Sequence, residues 1–268
     1  MCISSFTLIR CNCLSGIFGS LQQSKQLYKS FQFILLISLA FVNASCNLFG
    51  EKCKAGEGDP FEQVRSYETI NSIDFSIPVT LNLVHNPNIG NSKVTIVAQE
   101  NTYNNIFTKV DNHQLTIEFI GCLEGHGEII IYVESSDIRE VIANSPSRIV
   151  SENAIELDSF RLEVNQSSNV DLFFVGHHIQ ADLNGSGNVA LKGGSDYLNL
   201  NVNSNMEVNT YGLLSDTTYL QTTSNKDISV FAFNILEAEI NGTGDVYYKE
   251  NPETVSSGSG SGILIEDI

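Results

Sequence analysis

The sequence predicts an all-β protein folded as a β-solenoid, with about 19 residues in each coil. The main observation is one short motif, a polar turn between two runs of alternating apolar and polar residues, which occurs five times. The copies begin at Val164, Leu183, Val202, Thr222 and Ile240. Alternation indicates strands with one buried face. Because a unit this short cannot bury its apolar face alone, a period near 20 residues indicates coils that stack on one another.

The turn inside the motif is the second observation. The clearest copy, residues 183–189, reads Leu-Asn-Gly-Ser-Gly-Asn-Val. Asn and Gly accept left-handed backbone conformations that other residues resist. Equivalent turn residues then lie about 4.8 Å apart on successive coils, so that their side chains form ladders. The first predicted ladder contains Asn165, Asn184, Asn203 and Asn241, and the second contains Ser167, Ser186, Asn205 and Thr243.

A further row of polar residues recurs at the last position of the turn. It contains Asn188, Glu207, Asp227 and Asp245. We interpret these residues as solvated turn positions. The alternative is a weak cation site, because like charges stacked along a solenoid repel one another unless an ion lies between them. Together with the asparagine ladder, this row is the candidate surface for a ligand.

The N-terminal half of the body also reads as strands, but without a clear period. Turn signals separate alternating runs at residues 73–84, 93–98, 106–110, 114–120 and 128–134. Residues 101–105 interrupt the alternation and predict a short helical turn. A degenerate copy of the motif begins at Ala143. Regular repeats are therefore expected from about residue 141, after less regular N-terminal coils.

The first 45 residues have the features of a secretory signal peptide. Lys25 and Lys29 precede an apolar run at residues 31–42, which is short of the ~20 residues that span a bilayer. Ala44-Ser45-Cys46 resembles a bacterial lipobox, which predicts lipidation of Cys46 and a membrane anchor. The alternative is ordinary cleavage near Ser45. Residues 46–60 are then a flexible tether, and residues 61–265 form the solenoid domain.

Charge and cysteine content restrict the partners. The formal net charge is −17, and because residues 1–45 carry three basic residues and no acid, residues 46–268 carry −20. A surface this acidic repels phosphate backbones, so nucleic acid is not an expected partner. Cys53 and Cys122 are the cysteines left beyond the leader and Cys46. They predict a disulfide in an oxidising envelope, with two free thiols as the alternative.

The repeats resemble the auto-transporter adhesin "head GIN" domain family of Bacteroidetes envelope proteins. The resemblance rests on Phe75, Ile77, the Gly125 hairpin and the glycine-containing segments at residues 184–187, 241–248 and 257–263. It covers about residues 61–265. It implies a right-handed parallel β-helix, an outer-membrane-anchored or secreted location and a role in adhesion. Its ligand, a glycan or a protein, is left open.

Catalysis is not predicted, because the polar groups do not converge in the sequence. Parallel β-helix enzymes such as lyases and glycosidases use clustered carboxylates, often with Ca²⁺ and a basic residue. The candidates here are Asp182, Asn188, Glu207, Asp227 and Asp245, and the last four fall one per coil. His177 and His178 are adjacent on a strand and point to opposite faces, which makes a poor metal site. We therefore expect a non-enzymatic protein without cofactor or metal; a carbohydrate-active β-helix enzyme is the alternative.

Tyrosines are the residues most suited to contact a sugar ring, because the chain contains no Trp. The candidates are Tyr197, Tyr211, Tyr219, Tyr247 and Tyr248. Their other interpretation is that they cap the core. The sequence favours the second interpretation for most of them.

Overall fold

The structure, a computed structural model, describes residue 53, residues 55–122 and residues 124–267. The predicted signal peptide and Cys46 lie outside the described residues. The strands and the single short helix of the described chain are, in order, β1 (Pro60–Tyr67), β2 (Ser72–Phe75), β3 (Val79–His85), β4 (Ser92–Gln99), α1 (Glu100–Tyr103), β5 (Ile106–Asp111), β6 (Gln114–Phe119), β7 (Ile130–Ser135), β8 (Glu140–Ala143), β9 (Ser147–Ser151), β10 (Ile155–Glu156), β11 (Ser159–Val164), β12 (Ser167–Leu183), β13 (Ser186–Val202), β14 (Glu207–Thr222), β15 (Ile228–Phe231), β16 (Ile235–Ile240), β17 (Val246–Lys249), β18 (Glu253–Ser257) and β19 (Leu264–Glu266). The all-β prediction is confirmed. Within the described residues, no helix has the length and hydropathy needed to cross a membrane.

The predicted winding is also confirmed: the strands stack in parallel as a β-solenoid of about 7 turns, about 19 residues apart. The first residues of the five motif copies are direct strand partners. Val164 pairs with Leu183, Leu183 with Val202, Val202 with Thr222 and Thr222 with Ile240. The sequence period is therefore the length of one coil.

Each coil contributes to two parallel sheets, which the turn motif separates, and to a short third ladder in which β10 pairs with Phe174 and Val175 of β12. The first sheet contains β8, β11, the C-terminal parts of β12, β13 and β14, then β16 and β18. The second contains β9, the N-terminal parts of β12, β13 and β14, then β15, β17 and β19. The three long strands thus run from the second sheet of one coil into the first sheet of the next.

The core consists of side chains stacked in columns between the two sheets. One column contains Leu162, Ala181, Leu200, Leu220 and Ala238, which are strand partners and at most 2% exposed. Fully burying a leucine side chain is worth about 1.5–3 kcal/mol. These residues alternate with outward polar ones. The alternation of apolar and polar residues in the sequence therefore identifies the buried face of each strand.

The N-terminal coils depart from chain order. β2 pairs in parallel with both β6 and β8, and β3 pairs with both β7 and β9. The strand pair β2–β3 is therefore inserted between two pairs that follow it in the sequence. The single strand predicted at residues 73–84 was wrong, because the chain turns between Phe75 and Val79. Pro78, which lacks a backbone N–H, lies in that turn.

Antiparallel strands cover the N-terminal end of the solenoid. β4 lies antiparallel to β1 and β7, and β5 forms an antiparallel hairpin with β6. Such strands protect the edge of a sheet from pairing with another chain. The sequence did not indicate β1, since all of its residues are exposed or only partly buried. The helical turn predicted at residues 101–105 is present as α1, one residue earlier.

At the other end, the glycine-serine segment at residues 257–263 is a further coil rather than a loose tail. The Gly260 N–H donates to the Ile240 carbonyl oxygen at 3.0 Å, and the Ser259 N–H donates to Asn241 Oδ1 at 2.9 Å. β19 then pairs with β17. Leu264 is partly buried against the core, so the chain after the glycine-serine segment continues the stack.

The chain enters the domain through several bonds. Cys53 and Cys122 form a disulfide with their Cα atoms 4.8 Å apart, within the usual range of such bridges. The Glu57 N–H donates to Asn101 Oδ1 at 2.9 Å, and Asn101 Nδ2 donates to the Ala55 carbonyl oxygen at 2.7 Å. The described part of the predicted tether, residues 46–60, is thus bonded to the domain.

Gly187, in the turn motif, lies in close contact with the previous coil. Its φ is +108°, and a Cβ atom there would collide with the carbonyl oxygen of Ser168 on the previous coil. We expect Gly187→Ala to lower the free energy of unfolding by about 1–3 kcal/mol, measured by urea denaturation. Gly194 on the same strand is the matched control, since the nearest atom to an added Cβ is the Leu214 oxygen at 3.7 Å. Equal losses for the two variants would contradict this explanation.

Candidate binding face

The outward side chains of the first sheet form a polar surface, which we call the amide face. Successive residues of a strand point to opposite sides, so every second residue between the core positions belongs to this face. Strand pairing aligns these residues in two long rows along the solenoid, and a further outward residue of the face, Tyr197, lies beside them, two positions before Asn199 on β13. One row contains Glu140, Arg161, Gln180, Asn199, Tyr219, Glu237 and Val255; the other contains Ile142, Glu163, Asp182, Asn201, Gln221, Glu239 and Ser257.

The predicted asparagine ladder borders the amide face at the turn. Asn184 Nδ2 donates to Asn165 Oδ1 at 3.1 Å, and Asn203 Nδ2 donates to Asn184 Oδ1 at 3.2 Å. The ladder extends one coil further back, where Asn165 Nδ2 donates to Asn144 Oδ1 at 2.9 Å. Asn241 is not continuous with it, because Thr223 occupies the intervening coil. The structure therefore brings together three of the four predicted members.

One arginine lies at the centre of three carboxylates on the amide face. Arg161 Nη1 donates to Glu140 at 2.8 Å, while Nη2 donates to Glu163 at 2.7 Å and to Asp182 at 3.1 Å. The hydrogen bond from Ser72, together with the Arg161 guanidinium, holds the pKa of Glu140 below its ordinary value. The hydrogen bonds to Glu140, Asp182 and Glu163 raise the pKa of Arg161. Glu140 and Arg161 therefore remain charged at neutral pH, and the cluster sets one arginine against three carboxylates.

Removing this arginine should have a pH-dependent cost. Since the folded pKa of Glu140 is lowered, its contribution to stability is present above its ordinary pKa and is lost as the pH falls through the lowered value. Arg161→Gln leaves the carboxylates facing one another, so we expect a loss of about 1 kcal/mol at pH 7, allowing for solvent screening of the partly exposed side chain. At pH 3 the loss should be smaller, because protonation of the acids relieves the repulsion.

Urea denaturation at the two pH values measures this difference. Arg148→Gln is the matched control, since this exposed arginine on the second sheet forms no ion pair with any residue of the described chain. An equal loss for Arg161→Gln at pH 7 and pH 3 would show that packing, not charge, carries its effect.

The amide side chains of the face are bonded to one another along the solenoid. Asn201 Nδ2 donates to Asp182 Oδ1 at 2.7 Å, and Gln221 Nε2 donates to Glu239 Oε2 at 3.2 Å. Asn199 Nδ2 lies 3.0 Å from His178 Nε2. His177 instead hydrogen-bonds Asp196, and this bond raises the pKa of the histidine. The two histidines therefore have different partners.

The acidic row lies elsewhere, on the second sheet and its turn. Asp227 Oδ1 accepts the Asp245 N–H at 2.9 Å, and Asp245 Oδ1 accepts the Ile263 N–H at 3.0 Å. These two carboxylates therefore satisfy backbone donors of the next coil. Asn188 and Glu207 are strand partners that line a shallow groove on the second sheet. In the described chain, no group of three or more His, Cys, Asp or Glu side chains is arranged to hold a metal ion.

Two of the five candidate tyrosines are exposed on the amide face. Tyr197 is 49% exposed and Tyr219 is 38% exposed. Tyr211 differs, because its hydroxyl donates to Asp267 at 2.8 Å and Lys249 Nζ lies 4.6 Å from its ring centroid. Burial is the main reason that the pKa of Tyr211 rises to about 12. Tyr247 and Tyr248 are partly buried. The alternation of β13 and β14 in the sequence already places Tyr197 and Tyr219 outward.

Comparison with known proteins agrees with this architecture. Residues 71–252 match the family described as "Putative auto-transporter adhesin, head GIN domain". The chain belongs to this family. No curated protein is significantly similar to it in sequence.

Solved structures share the fold of this head GIN domain at low sequence identity. A "putative adhesin" from Bacteroides fragilis NCTC 9343 has a TM-score of 0.73 and 17% identity, covering 80% of this chain and 100% of its own. A "putative lipid binding protein" from Parabacteroides distasonis ATCC 8503 has a TM-score of 0.66 and 16% identity, covering 81% and 100%. A "putative adhesin" from Parabacteroides merdae ATCC 43184 has a TM-score of 0.56 and 15% identity, covering 80% and 99%. At these identities the likeness concerns the fold alone.

Two shallow depressions lie on the amide face of the head GIN domain and meet at Gln221. The first, of about 370 Å³, is lined by Arg161, Glu163, Asp182, Asn184, Asn201, Asn203 and Gln221. The second, of about 180 Å³, lies beside Tyr219 and includes Gln221, Glu237, Glu239 and Val255. Both are open to solvent. Their shape suits contact with an extended partner better than enclosure of a small molecule.

Proposed function

We propose that the protein is a non-enzymatic interaction module of the adhesin type, which binds its partner through the amide face. The observation that carries this proposal is the pair of in-register rows of polar side chains, which continue from β8 to β18. Hydrogen bonds within the face fix many of these side chains before a partner arrives. A preorganised surface loses less side-chain entropy on binding.

The family and the shared fold support this proposal. The family description refers to an adhesin, and two of the three structures compared above are described in the same way. Such a role requires a location at the cell surface or envelope. Whether the ligand is a glycan or a protein is a separate matter.

Attachment of protein-coated beads tests the interaction function. Beads carrying the full-length protein should attach to at least one of three surfaces: cultured epithelial cells, mucin or other bacteria. Asn201→Lys/Gln221→Lys, on adjacent strands of the amide face, should reduce attachment at least tenfold. Asn169→Lys/Asn188→Lys is the matched control, because these residues are adjacent strand partners on the second sheet. Attachment to none of the surfaces, or equal attachment by both variants, would contradict the proposal.

The protein is further held to the outer membrane by lipid on Cys46. The apolar run at residues 31–42 and the sequence Ala44-Ser45-Cys46 support this anchor. Two or three acyl chains, at about 0.8 kcal/mol per buried methylene, give stable attachment. Labelling cells with a radioactive fatty acid should mark the wild type but not Cys46→Ala. If the wild type is not labelled, the lipid anchor is rejected, and secretion after ordinary cleavage is the alternative that stands.

A carbohydrate-active enzyme is the competing function, favoured by one observation. Glu163 and Asp182 both contact Arg161 Nη2, so their carboxylates lie close together, as a glycosidase requires. Both accept hydrogen bonds from that arginine, and the pKa of the neighbouring Glu140 is lowered, whereas a general acid needs a raised pKa. Release of reducing sugar from xylan, mannan or polygalacturonate by the wild type but not by Glu163→Gln would establish the enzyme instead.

A further inference from the structure

We propose that the ligand of the amide face is a neutral polysaccharide, whose sugar rings stack on Tyr197 and Tyr219 and whose hydroxyls donate to the amide oxygens beside them. This inference rests on the proposed binding function and names its ligand class. Four features of the face lead to it.

The first feature is the placement of the two tyrosines. Tyr197 pairs with Thr217 and Tyr219 pairs with Asn199, so the two rings lie on adjacent coils and are offset by one row. From strand spacing, their Cα atoms are about 8 Å apart. Neither hydroxyl forms a hydrogen bond with another side chain of the described chain. Two exposed rings on one flat sheet form an apolar platform with polar edges, which suits a sugar ring better than a purely polar or purely apolar ligand.

The second feature is the direction of the hydrogen bonds around these rings. Asn201 and Gln221 use an amide N–H to bond a carboxylate on a neighbouring coil, and Asn199 uses one toward His178. Each amide oxygen keeps its acceptor capacity, because no other side chain of the described chain donates to it. The face therefore carries amide oxygens that can still accept hydrogen bonds. A ligand rich in hydroxyl donors matches them.

The third feature is charge. The two rows contain five carboxylates, on Glu140, Glu163, Asp182, Glu237 and Glu239, against a single arginine. Uronic acids, sulfated sugars and phosphate groups would be repelled at this surface. Uncharged sugars avoid that repulsion, and their hydroxyls can donate to any carboxylate oxygen that is still accessible.

The fourth feature is length. The face extends over seven strands, from β8 to β18, which at about 4.8 Å per strand corresponds to about 29 Å. The two depressions meet at Gln221 and form one open track rather than a closed pocket. Several linked sugars fit such a track, and a monosaccharide would use only part of it.

Affinity electrophoresis of the full-length protein tests the proposal. The probes are glucan, mannan, xylan and galactan as neutral polysaccharides, with alginate and polygalacturonate as acidic ones. At least one neutral polysaccharide should retard the wild type, and neither acidic one should. Tyr197→Ala/Tyr219→Ala should weaken binding at least tenfold, and Tyr197→Phe/Tyr219→Phe should retain it because the rings remain. Phe173→Ala, which removes an exposed ring from the second sheet, should bind like the wild type.

The outcomes separate this inference from the proposed function. Retardation by no neutral polysaccharide, or equal binding by the wild type and the Tyr197→Ala/Tyr219→Ala variant, overturns the glycan ligand. If beads still attach in that case, and polylysine rather than neutral polysaccharide competes for them, the partner is a basic protein and the interaction function stands. If the beads attach to no surface either, both proposals fail. Unchanged circular dichroism of the variants excludes misfolding as the cause of a loss.

Discussion

Replacing Phe174 with alanine is expected to lower the free energy of unfolding by about 3–5 kcal/mol, among the largest effects of a single core substitution in this protein. Phe174 is 1% exposed, and its ring centroid lies 6.1 Å from that of Phe160. Its backbone pairs with Ile155 on one side and Gly193 on the other, so the side chain lies inside the stack between two coils. Strand pairing on both sides limits how far the backbone can move to fill the cavity. Urea denaturation followed by circular dichroism measures the loss.

Phe173 is the matched control for this substitution. It is the adjacent residue on the same strand, but it points outward and is 44% exposed. Phe173→Ala should change the free energy of unfolding by no more than about 0.5 kcal/mol. If both alanine variants lost the same stability, the alternation of inward and outward side chains in β12 would not determine the core.

Loss of the disulfide should have the second large effect. Cys53 and Cys122 are 69 residues apart in sequence, and closing a loop of that size restricts the unfolded chain. On the chain-entropy model, Cys53→Ala/Cys122→Ala costs about 4 kcal/mol. The midpoint of thermal unfolding should fall accordingly. Hydrogen exchange should also show faster exchange at the Glu57 N–H, which bonds Asn101 near the bridge.

Two controls distinguish the loss of stability caused by removing the disulfide from other effects of the substitutions. A reducing agent should destabilise the wild type by a similar amount and leave the double variant unchanged. Cys46→Ala should not alter stability in either condition. A double variant as stable as the oxidised wild type would mean that the hydrogen bonds of residues 55–58 hold the N-terminal segment without the disulfide.

The regular part of the fold could be predicted from local patterns because its contacts repeat. Once Val164, Leu183 and Val202 are recognised as equivalent, their separation gives the coil length and makes Asn165, Asn184 and Asn203 neighbours. The same logic failed for Asn241, since one coil carries Thr223 instead. The alternation also contained the outward placement of Tyr197 and Tyr219. The sequence did not show, however, that these two tyrosines lie on the same face as the amide side chains.

The N-terminal end could not be predicted in this way. Nothing local indicates that β2–β3 lies between β6–β7 and β8–β9, because this order depends on pairings between residues far apart in the chain. β1 is an edge strand with no fully buried residue, so its sequence lacks the alternation that marks a strand. The Arg161 cluster also depends on contacts between residues that are far apart in the chain. Glu140 and Asp182 each lie 21 residues from the arginine, and only coil stacking brings the three together.

The amino-acid sequence alone was thus sufficient for the fold class, the length of a coil, the buried face of each regular strand and the family. These properties follow from residue spacing and alternation along the chain. The order of the first coils, the antiparallel end and the amide face with its two exposed tyrosines required the tertiary structure. They arise from contacts between coils, where pairing register and burial, rather than local preference, decide which side chains meet.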